Sequence, residues 1–293
     1  MKRLLVIGCG DIARRALPLW LPRYHVAALV RTHDAQLAAA GVHLVSGDLD
    51  RPETLLQLAS SADFVAHLAP PGEGGTRDER TRNLLGALET GAMLPQRIVY
   101  VSTSGVYGDC GGDRVVESRA LNPQTDRAHR RVDAELALQA LGARRGVDVL
   151  ILRVPGIYSA DRLPLQHLRR ATPVLRREDD VYTNHIHAED LAAIVTAALE
   201  RGEPGAYNAS DDGEVTMGDW FDLVAERAGL ARPQRVSRAA AQELIPPGLL
   251  SFMNESRRLV NRRMKESLGV RLRFPTVYDG VPECDLKPNR APA

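Results

Sequence analysis

Leu4-Leu5-Val6-Ile7-Gly8-Cys9-Gly10-Asp11-Ile12-Ala13 runs from a short apolar stretch through two closely spaced glycines into the start of a helical pattern. The spacing is G-x-G-x-x-A. Gly8 permits a tight turn, Gly10 puts no side chain between the backbone and a pyrophosphate, and Ala13 lets a helix lie close on a sheet. The first N–H groups of that helix then face an anion. In this strand–turn–helix setting the segment reads as the opening of a dinucleotide-binding α/β unit. Gly8, Gly10, Asp11, Ile12 and Ala13 are its cofactor-side residues.

The pattern outward from this turn supports the same fold class. Short apolar runs at Leu4–Ile7, His25–Val30, Val42–Val45, Phe64–Leu68, Arg97–Val101 and Val147–Arg153 predict six strands. They are continuous rather than alternating, as strands buried on both faces are. Between them, helical patterns fall at Ile12–Leu21, Asp34–Ala40, Pro52–Ala59, Thr76–Glu89 and Asp126–Leu141. Strand–helix alternation predicts a Rossmann-like, doubly wound parallel sheet. Residues 1–158 are taken as the NAD(P)-binding domain. Residues 159–293 are a mixed segment. Part of it, about 184–210, returns a helix (Ala188–Leu199) and a strand to the sheet. The rest forms a small, mainly α C-terminal substrate lobe with helices at Met217–Ala228 and Ser256–Leu268, and an irregular tail from Pro282 to Ala293.

Composition narrows the function classes. With 38 basic and 37 acidic residues the formal net charge is +1, which offers no electrostatic case for nucleic acid or a membrane surface. No apolar run approaches the ~18 residues of a membrane span. Cys9, Cys110 and Cys284 are far apart and odd in number, so no disulfide framework is expected and a reducing, cytoplasmic compartment fits. The basic N-terminal residues precede too short an apolar run for a secretory signal. His185 and His187 lack a third ligand at suggestive spacing, so no metal site is expected.

The second strand ends Leu29-Val30-Arg31-Thr32-His33-Asp34. NAD enzymes usually hold the ribose diol with an acidic residue at this tip. Arg31 stands there instead and suits a 2′-phosphate, with Thr32 beside it. This predicts NADP(H), with NAD possible because Asp34 lies about a turn further on.

Further segments resemble the short-chain dehydrogenase/reductase superfamily, in its extended, epimerase/dehydratase-like branch. Gly47-Asp48-Leu49, His67-Leu68-Ala69-Pro70, Ser102-Thr103-Ser104-Gly105-Val106-Tyr107-Gly108, Leu152-Arg153-Val154-Pro155-Gly156-Ile157-Tyr158, Asn184 to Ala192 and Tyr207 to Asp211 carry the likeness in order along the chain. The resemblance implies that Asp48, Leu49, Leu68, Ala69, Pro70 and Pro155 contact the cofactor. It also implies that Thr103, with Ser104 as neighbour, holds a substrate oxygen, and that a homodimer pairs through Thr76–Glu89 and Asp126–Leu141.

One part of the family pattern is missing. Its acid–base chemistry uses a tyrosine with a lysine four residues later on one helix face. No tyrosine here has a lysine at that spacing, and no lysine lies between Lys2 and Lys265. By alignment to Ala134-Glu135, Arg131 takes the lysine place and Arg127 the tyrosine place. Arg131 can bind a ribose hydroxyl and supply positive charge. Arg127 cannot give up a proton at neutral pH. The run Arg127 to Arg131 also reads as a solvated helix face. Tyr107, His129 or a water ordered by Arg131 are the remaining proton carriers.

Asn254 to Met264, Leu268-Gly269-Val270 and Phe274-Pro275-Thr276 resemble a bacterial subgroup that keeps the cofactor motif and the hydroxyl but lacks the Tyr–Lys pair. In it, Arg257, Arg258 and Asn261 would face the cleft from a helix and bind an anionic or sugar-like group. Two function classes follow. One is an NAD(P)-dependent oxidoreductase or epimerase/dehydratase-like enzyme on a small metabolite. The other is a non-catalytic NADP(H)-binding redox sensor or regulator.

Overall fold

The expected apolar runs become the parallel strands of one sheet. In the computed structural model, which describes residues 1–283, β1 (Lys2–Ile7), β2 (Tyr24–Val30), β3 (His43–Ser46), β4 (Phe64–His67), β5 (Arg97–Thr103), β6 (Asp148–Val154) and β7 (Gly205–Asn208) pair in the order β7-β6-β5-β4-β1-β2-β3. Every pairing is parallel. Successive side chains of β1 go to opposite faces. Leu4 and Val6 join a core with Ala16, Trp20 and Leu191, while Leu5 and Ile7 join another with Leu84, Leu88 and Leu138.

Helices cover both faces. α1 (Asp11–Trp20), α2 (Ala35–Ala39), α3 (Glu79–Glu89), α4 (Asp126–Arg145) and, after the short α5 (Leu165–Arg169), α6 (Ala188–Glu200) follow in chain order; α5 itself packs in the C-terminal lobe. α6 packs on α1, where the buried Trp20 Nε1 donates to Thr196 Oγ1 at 2.9 Å. α3 and α4 pack together on the other face. β1 lies between β2 and β4, so the chain reverses direction across the sheet there. In such sheets a crevice opens at this point, over the strands' carboxyl ends.

The remaining helices are α7 (Met217–Arg227), α8 (Arg238–Leu244), α9 (Pro247–Leu250), α10 (Arg262–Leu268) and α11 (Val277–Gly280). A separate core of Trp220, Phe221, Val224 and Met253 gathers with Tyr158 and Val174. α10 turns back, placing Met264 and Leu268 in the sheet's core beside Tyr207.

Three helix expectations change. Pro52–Ala59 forms two short 3-10 turns, Pro52–Thr54 and Leu56–Leu58. It buries Leu55 and Leu58, a three-residue spacing that the 3-10 period puts on one face. The helix expected from Thr76 starts at Glu79, because the Asp78 carboxylate accepts from Thr81 N at 3.2 Å and caps it. The expected helix over Ser256–Leu268 splits. Arg258–Leu259 is extended and pairs with Arg114–Val115, and only Arg262–Leu268 is helical. The Asn184 side chain enforces this by donating to Arg257 O at 2.9 Å and accepting from Leu259 N at 2.7 Å. The tail expected from Pro282 lies, beyond Glu283, outside the described residues. No helix among the described residues is long and apolar enough to cross a membrane.

Candidate functional site

The two glycines of the first turn face different surroundings. Gly8 has φ +92°, and a Cβ there would lie 2.4 Å from Ala69 N. The turn is therefore seated against the end of β4. Gly10 precedes α1, and a Cβ there would meet no protein atom within 4 Å. The open space over Gly10, at a helix N-terminus, fits a pyrophosphate. Ile12 and Ala13 are buried in the sheet's core, so they seat α1 rather than line the crevice. Asp11 turns its carboxylate to Arg15 Nε at 2.7 Å and Arg162 Nη1 at 3.0 Å.

A cavity of about 360 Å³ lies beside this turn. Gly8, Arg31, Thr32, Asp48, Leu49, Ala69 and Pro70 line it, as the sequence suggested, together with Cys9, Asp34 and Arg80. Leu68 instead packs against the core. Arg80 had no local signal. It crosses thirty positions to Asp50, donating from Nε at 2.7 Å and Nη2 at 2.6 Å. Asp34 is occupied on both oxygens. Oδ1 accepts from Leu37 N at 3.0 Å and Oδ2 pairs with Arg14. The Leu37 amide and Arg14 hold this carboxyl below its ordinary value. Arg31 has no ion pair among the described residues.

A second cavity, about 480 Å³, opens at the carboxyl ends of β5 and β6. Thr103, Ser104 and Pro155 line it, opposite Trp220, Phe221 and Phe252 of the C-terminal lobe. Thr103 Oγ1 accepts from Gly105 N at 3.2 Å. The Ser104 hydroxyl has no hydrogen-bond partner among the described residues. Arg127, Arg162, His167, His185, Glu255 and Arg257 bring polar groups to the same walls. His185 lies against Trp220, with ring centroids 4.3 Å apart, and burial lowers it to about 3. It is therefore neutral near pH 7.

Tyr107 is turned away from both cavities. Its hydroxyl donates to Asn208 Oδ1 at 2.7 Å and accepts from Arg153 Nη1 at 2.9 Å, in the interior. Burial pushes the phenol up to about 12. His129 is exposed and lines neither cavity. Arg131 braces two strand ends. Its Nη1 donates to Val101 O at 2.8 Å, to Tyr100 Oη at 2.9 Å and, at 3.5 Å, to Ala69 O. It thus lies between Ala69 of the first cavity and the Thr103 end of β5. Arg258 pairs with Glu214, and Asn261 donates to Ser210 O and Asp211 O. Of the three residues expected to face the cleft, only Arg257 lines it. Arg258 sits in extended chain and Asn261 at the N-cap of α10, so the helical spacing that grouped the three does not apply.

A family model described as NAD(P)H-binding matches residues 8–202. A conserved protein of unknown function from Silicibacter pomeroyi is 28% identical over 96% of both chains, with a TM-score of 0.77. The Thermus thermophilus UDP-glucose 4-epimerase, solved with NAD, is 21% identical over 95% of this chain and 96% of its own, with a TM-score of 0.73. Mouse dTDP-D-glucose 4,6-dehydratase is 27% identical over 42% of this chain, and the match spans only 37% of that enzyme's length. The seating of Gly8, the open space over Gly10 and the match across both halves of the sheet agree: the chain belongs to the NAD(P)H-binding family and has the fold of the extended, epimerase/dehydratase-like short-chain dehydrogenases/reductases.

Proposed function

We propose that the protein binds NADP(H) in preference to NAD(H) and uses it as an epimerase/dehydratase-like or oxidoreductase enzyme on a small metabolite in the second cavity. The observation that carries this reading is the pair of hydroxyls, Thr103 and Ser104, lining a cavity at the strands' carboxyl ends. Gly8, Gly10, Thr32, Asp48, Leu49, Ala69 and Pro70 would hold the dinucleotide, with Pro155 and Arg131 toward its nicotinamide end. When bound, the nicotinamide supplies or accepts hydride. The engaged Asp34 and the unpaired Arg31 favour a 2′-phosphate over a bare ribose diol. Thr103 and Ser104 would position a substrate oxygen. Neither hydroxyl is acidic enough to give its proton unaided, and Tyr107 is sealed off. With His129 outside the cavity, the proton would come from water, or from His167 on the cavity wall.

The missing phenol favours a second reading, in which the site binds NADP(H) and senses redox state without turnover. Mixing protein loaded with NADP⁺ or NADPH with pools of small metabolites, and following both nicotinamide fluorescence and the metabolites themselves, separates the two. An oxidoreductase changes the cofactor's redox state, whereas an epimerase or dehydratase returns its hydride and changes only the metabolite; either turnover is expected to fall about 10²-fold in Thr103→Ala with cofactor affinity kept. No change in cofactor or metabolite with every pool supports the sensor. We also read α3 and α4 as a homodimer surface, where Leu136 is exposed. Light scattering showing only monomer at tens of micromolar rejects that pairing.

A further inference from the structure

We infer that the second cavity takes a small organic monocarboxylate with a planar apolar body, its carboxylate held between Arg127 and Arg257. This rests on the reading of that cavity as the substrate site and names its substrate class.

The charges on the cavity wall leave one positive unit over. Three guanidinium groups line it. Arg162 donates to Asp11 Oδ2 at 3.0 Å, and Arg257 Nη1 donates to Glu255 Oε2 at 2.8 Å. Arg127 has no carboxylate partner among the described residues. Its Nη2 donates to Ser251 Oγ at 3.2 Å, and its guanidinium carbon lies 4.0 Å from the Phe252 ring centroid. Desolvation and the neighbouring Arg257 hold its pKa below the usual arginine value. A monoanion beside both groups would remove that strain.

Arg257 supplies a second donor. It is 8% exposed, and its Nη1 serves both Glu255 and Gly108 O. Its Nε is sealed in the interior. Its Nη2 makes no hydrogen bond among the described residues and is not sealed off, so it is the donor a carboxylate oxygen reaches, and a charge-assisted bond of this kind is among the stronger ones. Phe252, against Arg127, and Trp220, elsewhere on the same cavity's wall, are aromatic and suit a flat apolar body. A single surplus charge fits a carboxylate better than a dianionic phosphate.

The test uses NADPH-loaded protein titrated calorimetrically with benzoate, with its neutral isostere benzamide, and with inorganic phosphate. Benzoate is expected to bind at least about tenfold more tightly than benzamide, with phosphate failing to displace it. Arg127→Gln, an accessible position checked by its melting temperature, is expected to weaken benzoate at least about tenfold while NADPH affinity holds. Arg127→Lys keeps the charge and is expected to recover part of the loss. Equal binding of benzoate and benzamide overturns the inference. So does an unchanged benzoate affinity in Arg127→Gln, or tighter binding of phosphate. Failure of the wild type to load NADPH would instead count against the cofactor reading.

Discussion

At residue scale, the two glycines of the first turn separate folding from binding. A Cβ at Gly8 strikes the backbone of Ala69, whereas one at Gly10 enters open space. Gly10→Val is therefore expected to keep the fold, with a loss of about 1 kcal/mol for a poorer helix cap, and to abolish measurable binding of NADPH and NADH alike. Titrating both cofactors by fluorescence checks this, and unchanged affinity in a folded variant removes the crevice as the cofactor site. The same titration addresses Arg31. Arg31→Ala is expected to weaken NADPH about tenfold or more and leave NADH unaffected. Equal losses for both cofactors would mean that Arg31 does not read the 2′-phosphate. That Gly8, Arg31, Asp48 and Thr103 would line cavities is legible in the sequence, because turns and strand tips carry their chemistry locally. Arg80, Phe252 and the Nη2 donor of Arg257 are not, because their surroundings come from chain remote in sequence.

At the scale of elements, α4 is held to the sheet by charge as well as by Leu138 and Leu141. Glu135, 1% exposed, accepts from Arg153 Nη2 at 2.8 Å and from Ser102 Oγ at 2.5 Å. Arg153 reaches on to Tyr107, so β5, β6, α4 and the turn after β5 share one buried network. Removing one partner leaves an uncompensated interior charge, which typically costs about 3–5 kcal/mol. Glu135→Gln is expected to lower the urea midpoint accordingly, and a loss under about 1 kcal/mol would show that Arg153 finds another partner. The strands and long helices were readable from continuous apolar runs and 3.6-residue patterns. The segment Ser256–Leu268 departs from its helical pattern because an amide side chain, Asn184, holds its first part extended, and no local pattern reports that contact.

For the whole molecule, acid and alkali act on different buried groups. Asp211 is 3% exposed, its Oδ2 has no partner, and burial raises its carboxyl to about 8. A carboxyl with a higher pKa folded than unfolded supports the fold fully below about pH 4 and loses that support as pH rises through about 8, at up to about 1.4 kcal/mol per pH unit. His67 and His185, held at about 3 by burial, act in the opposite sense. Between about pH 6.5 and 3 the unfolded chain takes up protons that these folded rings refuse. The melting temperature is therefore expected to peak in mild acid. Asp211→Asn is expected to raise it above pH 7 and flatten the alkaline limb, while the acid limb, which Asp211 opposes above about pH 4, steepens. An unaltered alkaline limb would show that the Asp211 carboxyl ionises normally.

Arg131 makes a single nitrogen a shared fastening. Its Nη1 alone donates to Val101 O and Tyr100 Oη and reaches toward Ala69 O, so the strand ends beside the two cavities hang on one atom. The rest of the guanidinium takes no part in that clasp, and only the position of Nη1 decides it. The two cavities therefore share a keystone: whatever pulls this nitrogen away from one strand end lets go of the other.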